Sequence, residues 1–417
     1  MRQSLLFTKT IKETPKDEVS KNAQLLLRAG FIYKEMAGAY GFLPLGLRVF
    51  KKIEQLIREE MDSLGAQEIT LPSLQNKETW EPTNQWDDEQ VDIWFKTTLK
   101  NESVLGLAFT HEAPMTKLML SYINSYRDLP KLLYQFQTKF RNEARAKSGI
   151  MRSREFVMKD MYSFCRSNEE HAAVYDQAKQ AYLRIFNRLG LGDITYVTYA
   201  SGGVFAKFSH EFQTLTDAGE DTIYVSREKK IAVNKEVYTP ELLAELGLTA
   251  EELSEEKAAE VGNIFNLGTR FSSALGLAFI DENGEKHDVI MGSYGIGPAR
   301  VMGTIVEAFS DEKGITWPET IAPFRLHLLS LGDTADVTHA AENAYSKLRA
   351  AGIEVLFDDR AGIGNGAKFI DADLIGCPWR LVISEKSLAH NKIELKRRTE
   401  NDSSLHTIDE LISKFSQ

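Results

Sequence analysis

Phe140-Arg141-Asn142-Glu143, closed by Arg152-Ser153-Arg154-Glu155-Phe156, and then, well downstream, Gly292-Ser293-Tyr294-Gly295-Ile296-Gly297-Pro298-Ala299-Arg300, decide the reading of this chain. The first run reads as a strand ending in Arg-x-Glu, a basic loop and a returning strand. The second reads as a glycine-rich strand running into a helix that opens with arginine. Arginines so placed suit a polyphosphate, because the planar guanidinium fork binds phosphate oxygens bidentately and the lysine ammonium does not. Glycines at 292, 295 and 297 would let the strand lie flat against a ligand where any Cβ would intrude. Gly295-Ile296-Gly297 is not a dinucleotide fingerprint, since the third glycine and the strand-helix-strand context are missing.

Working outward, 417 residues predict two or three domains. A hydrophobic fraction of 43% and a charged fraction of 26% describe an ordinary globular protein, with no apolar run long enough to span a bilayer. The N-terminus lacks a signal-type apolar core, and the acidic residues after it argue against a transit peptide, so a cytoplasmic location is expected and no membrane partner. Cys165 and Cys377 are too few for a cysteine-rich zinc site and read as buried structural residues. The net charge of −10 hides a strong asymmetry. Lys131 to Arg166 holds nine Lys/Arg against three Asp/Glu, whereas Glu241 to Glu260 holds seven Glu against one Lys. A basic patch in an acidic body suits a site for a nucleotide and an RNA end.

The segmentation is α/β. Lys21 to Gly30 predicts a short helix. Leu47, Phe50, Ile53, Ile57, Met61 and Leu64 fall on one helical face, and Gly65 stops that helix. Glu68 to Pro72 reads as a strand, as do 105–109, 132–140, 195–198, 221–225, 263–272 and 287–293. Helices are expected over 168–190, 235–258 and 298–309. Trp317-Pro318 and Ala322-Pro323 mark a boundary. Beyond it, strands over 324–331, 353–357, 379–384 and 391–397 alternate with helices over 336–350, 366–375 and 405–416, which predicts a small sheet with helices packed on it.

The order of these features resembles the bacterial-type prolyl-tRNA synthetases, a family of class II aminoacyl-tRNA synthetases, over essentially the whole chain. The runs that carry the likeness are Phe109-Thr110-His111-Glu112, Arg152 to Phe156, Ser209-His210-Glu211-Phe212, Glu260-Val261-Gly262-Asn263-Ile264-Phe265, Asp358-Asp359-Arg360 and Gly366-Ala367-Lys368-Phe369. Each is weak alone; together and in this order they are specific. The resemblance implies an α+β catalytic domain over 1–320, built on an antiparallel sheet flanked by helices, and an α/β anticodon-binding domain over 321–417. Motif 1 would span about 47–72, motif 2 about 132–160 and motif 3 about 288–309.

By that resemblance the substrates are L-proline, ATP with Mg²⁺, and tRNA(Pro), and the working form is a homodimer. Thr110 and Glu112, read as neighbours on one face of a strand, would hold the proline nitrogen, with Met158, His210, Phe265 and Phe156 around the ring. His111 between them should face away. Arg141 would reach both the proline carboxylate and the α-phosphate. Glu143 would take the adenine amino group, and Arg152 and Arg300 the γ-phosphate side. Ser153, Phe156, Glu260, Asn263, Gly295 and Gly297 would complete the nucleotide site, with Glu260 also toward Mg²⁺. Arg141 and Arg300 are the expected catalytic residues, and Arg360 and Lys368 the expected anticodon contacts.

Many relatives carry an editing domain between motifs 2 and 3. Here the linker over 226–259 is too short for one, so alanine mischarged onto the tRNA should not be cleared in cis, and a separate deacylase is the expected partner. A C-terminal zinc-containing extension is not expected either. Two other readings stay open on the residues alone: a class II enzyme for threonine or glycine, against which the Thr110/Glu112 pair and the lack of metal-ligand clusters speak, and a non-catalytic relative, which would lose the phosphate-binding arginines.

Overall fold

The computed structural model describes residues 1–14, 18–144, 146–202 and 208–416. They form two compact units that do not follow chain order. One comprises Met36–Tyr40 and Ile53–Thr304; the other comprises Met1–Glu35, Gly41–Lys52 and Ile305–Gln417.

The first unit is built on a nine-stranded sheet among the described residues. Its centre is antiparallel: Lys131–Phe140 pairs with Glu155–Cys165, which pairs with Ile290–Ile296, which pairs with Ser254–Gly268. Gln67–Glu68 adds a short parallel edge on Lys131–Phe140. At the other end Phe208–Leu215 pairs both with Thr195–Ser201 and back onto Ser254–Gly268, closing that half of the sheet on itself. The helix Asn168–Arg188 covers one face. Ser167 caps it by accepting from the Glu170 amide, and it buries Val174, Ala178, Ala181, Tyr182, Ile185 and Phe186. The opposite face is left for ligands.

Beside the sheet, Leu74–Asn76 and Phe95–Thr98 flank Val104–Leu107. This small sheet carries a cluster of Trp80, Trp94 and Phe109, with Trp94 and Phe109 ring centroids 4.4 Å apart. Gly106 is required there, since a Cβ would stand 2.3 Å from the Trp94 ring. The cluster buttresses the chain as it enters Thr110.

The second unit holds a five-stranded sheet in the order Val355–Asp358, Leu326–Leu331, Trp379–Ser384, Ile393–Arg397, Ser403–His406. The first three are parallel and the last two antiparallel. The chain start is stitched to it: the Phe357 amide donates to the Met1 carbonyl (2.9 Å), and Arg2 reaches Glu342 and Asp359. Cys165 and Cys377 are both buried thiols without a disulfide.

Three expectations are corrected. The acidic stretch 235–258 is not one helix: Pro240–Glu245 is helical, but the strand Ser254–Gly268 has already begun. Glutamates at 255 and 256 favour helix locally, yet pairing with Asp221–Ser226 decides the outcome. That strand ends at Gly268, and 270–275 is helical rather than extended. At the C-terminus, Ser403–His406 is an edge strand; the helix starts at Ile408, where Thr407 and Glu410 form a capping box.

Candidate active site

On the open face, alternate residues of four neighbouring strands come into rows. Phe265, Ser293, Tyr162 and Leu133 are cross-strand partners, and so are Asn263, Gly295, Asp160 and Gln135. Period-two alternation puts Met158 and Phe156 on this face as well. A cleft of about 520 Å³ opens here. Its wall contains Arg141, Glu143, Arg152, Ser153, Phe156, Met158, Glu260, Asn263, Gly295, Gly297 and Arg300. All the residues expected around a nucleotide are thus brought to one place by segments far apart in sequence. An adjoining cleft of about 770 Å³ shares both ends of this wall and adds Ser148, Glu220 and Asp221.

The three arginines are held differently. Arg141 donates from Nε to the Phe109 carbonyl (3.3 Å), lies over the Phe156 ring at 5.4 Å, and makes no ion pair with the described residues. Burial first and the neighbouring Arg300 second lower its pKa, while Glu112, Glu260 and Glu143 act on it in the opposite sense without touching it. Arg152 is neutralised by Glu143 (2.8 Å) and by Glu220. Arg300 is braced by the Met151 carbonyl (2.9 Å) and by Glu260 (3.2 Å). Glu260 also accepts from Asn263 Nδ2 (2.8 Å). Gly295 lines the cleft, where a Cβ would stand 2.9 Å from Asn263 Oδ1. Gly292 does not. It points to the helix-covered face, where a Cβ would meet the Tyr294 hydroxyl, His171 and Ser163.

Thr110 and Glu112 are not on a strand. Val104–Leu107 has ended, and Glu112 opens the helix Glu112–Met119. Pro114 in its first turn, where no intrahelical N–H is needed, was the overlooked signal. The two side chains meet nonetheless, with the Thr110 hydroxyl donating to the Glu112 carboxylate. Ser293 Oγ approaches Glu112 at 3.4 Å, so the pair stands over the row of Phe265 and Tyr162. Burial pushes the Glu112 carboxyl up. Phe265 packs against the aromatic cluster behind this row.

His210 is a correction. It pairs with Ile264, on the helix side of the sheet, and its Nδ1 lies 2.8 Å from the Tyr175 hydroxyl. Its neighbour Glu211 takes the ligand side, opposite Asn263, and burial beside Glu260 raises its carboxyl to about 7. Arg360 and Lys368 are both engaged by groups of the protein itself. Arg360 is spanned by Asp358 (2.6 Å) and Asp371 (2.9 Å). Lys368 is only 4% exposed and donates to the Ser330 carbonyl (2.8 Å). Glu220 and Asp221 were missed because nothing in their local sequence distinguishes them from surface carboxylates; only the closing of the sheet brings them to the adjoining cleft.

With this geometry in hand, the likenesses to known proteins are coherent. Residues 95–309 match the model of the tRNA synthetase class II core domain (G, H, P, S and T), and residues 326–417 match that of the anticodon binding domain. The chain is 38% identical to a proline--tRNA ligase of Rhodospirillum rubrum, covering all of both chains. It is 37% identical to one of Maricaulis maris, covering all of this chain and 99% of that one. Among solved structures, prolyl-tRNA synthetase of Cryptosporidium parvum, complexed with halofuginone and AMPPNP, superposes with a TM-score of 0.78 at 17% identity. That match covers 95% of this chain and 77% of the other and speaks for the fold.

Proposed function

The chain belongs to the proline--tRNA ligase family of class II tRNA synthetases, and from that premise we propose how its cleft joins L-proline to ATP and passes the prolyl group to tRNA(Pro). The observation that carries the reading is Arg141: a half-buried guanidinium that forms no ion pair with the described residues, at the junction of the nucleotide cleft and the Thr110–Glu112 pair. A cation left unbalanced in such a place is balanced by substrate.

Glu112 and Thr110 receive the proline ammonium, and Arg141 draws the proline carboxylate to the α-phosphate. The carboxylate oxygen attacks phosphorus, the bond to the β-phosphate oxygen breaks, and pyrophosphate leaves with prolyl-adenylate remaining. The terminal ribose hydroxyl of tRNA(Pro) then attacks the prolyl carbonyl, and AMP leaves. The first step needs no general base, because the nucleophile is already an anion; positioning and charge stabilisation supply the rate. Glu143 holds the adenine amino group, Arg152 and Arg300 the γ-phosphate side, and Gly295 keeps the floor low. Mg²⁺ would neutralise the polyphosphate, and Glu260 is the carboxylate suited to hold it, oxygen donors being what that ion takes.

In this reading residues 1–320 are the catalytic domain and 321–417 the anticodon-binding domain, with Met1–Glu35 and Gly41–Lys52 grouping in the compact unit that holds the C-terminal sheet. The protein acts as a cytoplasmic homodimer, without cis editing, alongside a separate deacylase. No helix among the described residues is long and apolar enough to cross a membrane. The direct test is aminoacylation of a tRNA(Pro) transcript with labelled proline. Acid-stable, alkali-labile prolyl-tRNA dependent on ATP is expected; none from folded protein would overturn the assignment.

A further inference from the structure

His111, placed between the two residues that meet the proline nitrogen, sits at the end of a buried polar network that the reaction as described leaves idle. Its ring is 0% exposed. Nε2 faces the Pro72 carbonyl at 3.1 Å, which fixes that nitrogen as the donor. Nδ1 is therefore an acceptor, and the Lys139 ammonium lies 2.6 Å from it. Lys139, also 0% exposed, donates at 2.7 Å to Asp160 Oδ1. Asp160 Oδ2 accepts from Gln135 Nε2 (2.9 Å) and the Tyr162 hydroxyl (3.0 Å). Gln135 Oε1 in turn takes the Leu71 amide (2.9 Å), beside the Pro72 that holds the imidazole. One cation, one anion and one neutral ring thus satisfy one another in a dry layer under the amino-acid site. The proton count closes only with His111 neutral, since an imidazolium would oppose Lys139 at contact distance.

Asp160 and Tyr162 occupy the rows that include Gly295 and Ser293, so the network is anchored in the floor of the site itself. Its outer end is the backbone between Thr110 and Glu112. We propose that His111, Lys139 and Asp160 are positioning residues for the proline ammonium: they lock the turn that aims Glu112, and they act on the substrate only through it. A loop end held by two ring nitrogens is fixed in both translation and rotation. Loss of the Lys139 bond would leave Glu112 free to wander from the cation it must meet, while Arg141 and the nucleotide wall stay in place.

The inference rests on the reading of Glu112 as the partner of the proline nitrogen. His111→Gln keeps a donor toward Pro72 but removes the acceptor for Lys139; His111→Asn keeps an acceptor near the Nδ1 position. In proline-dependent pyrophosphate exchange, His111→Gln should raise KM for L-proline about tenfold, the scale of one hydrogen bond to a charged group. KM for ATP and kcat should stay within about twofold, and His111→Asn should recover most of the loss. Tetrahydrofuran-2-carboxylate, which has the ring and carboxylate but no ammonium, should inhibit wild type and His111→Gln alike. Four results would overturn the proposal: an unchanged proline KM in His111→Gln, equal loss in both variants, equal weakening of the analogue, or failure of both variants to fold, which would make the network purely structural. Absence of proline-dependent exchange in the wild type would instead sink the functional reading on which it stands.

Discussion

In the proposed mechanism Arg141 is the residue on which the chemistry turns, and its surroundings make that role measurable. Arg152 and Arg300 each touch a protein carboxylate; Arg141 forms no ion pair with the described residues. Removing it leaves the pentacoordinate phosphorus without its nearest donor. Arg141→Ala should lower kcat for proline-dependent exchange by about 10²–10³, the usual cost of one such donor. Exchange within a few fold of wild type would remove Arg141 from the mechanism. Glu220 calls for the opposite outcome. It occupies Arg152 and also accepts from Ser148 Oγ (2.8 Å), so it competes with an incoming phosphate for the same guanidinium. Glu220→Gln should therefore lower KM for ATP by about two- to threefold, since exposed ion pairs are weak. A raised KM would mean that Glu220 positions Arg152 rather than occupying it.

At the scale of the element, the strand Ile290–Ile296 separates two kinds of glycine. Gly295→Ala places a methyl on the cleft floor and should raise KM for ATP about tenfold with little change in melting temperature. Gly292→Ala places one within 2.5 Å of the Tyr294 hydroxyl under the helix Asn168–Arg188, and should cost about 1–3 kcal/mol of stability while leaving KM for ATP unchanged. Thermal melts and exchange kinetics on the two variants separate these outcomes. Sequence alone could not make this distinction, because a glycine-rich run shows spacing but not which face each position takes until the register with Glu155–Cys165 is known. The same limit explains His210 and Glu211, adjacent in sequence and on opposite faces of the sheet. Elements with strong local signals, such as the helix Pro44–Ser63 stopped at Gly65 and the helix Pro298–Ala308, were legible within a few residues. Phe208–Leu215 was not, nor was the strand through Glu255 and Glu256, because pairing across the sheet and not local preference makes them extended. The convergence of the arginines and of Gly295 and Gly297 on one cleft agrees with their selection from the sequence, where arginine and glycine patterns report chemistry directly. The turn that carries Thr110 and Glu112 was misread as a strand, since Pro114 a few residues on marks a helix start only when its position in the first turn is recognised.

For the whole molecule, buried histidines set the response to acid. His111, His210 and His327 are each lowered from 6.5 to about 4, in every case chiefly by burial. Between those values the unfolded chain binds protons that the folded chain refuses. Stability is therefore full above pH 6.5, falls as the pH drops toward 4, and levels off for these groups below that. Glu211, raised to about 7, contributes in the opposite sense over the same range, so the histidines are tested by difference. His327→Gln, which removes one such group from the second unit, should lose less melting temperature between pH 7 and pH 4 than the wild type does. Equal losses would contradict it. The linker over 226–259, read from the sequence as too short for an editing domain, carries its own prediction. A pocket that fits proline excludes alanine weakly, each lost methylene being worth only about 1–3 kcal/mol. Alanyl-tRNA(Pro) should form slowly and persist in the presence of this protein alone; its hydrolysis by the purified protein would show an editing activity that the chain is not expected to have.

The measurement that bears most directly on this account is amino-acid-dependent ATP–pyrophosphate exchange by the purified protein across all twenty amino acids. A dominant signal with proline and a weaker one with alanine is the predicted result. Exchange led by another amino acid, or none from folded protein, would contradict it.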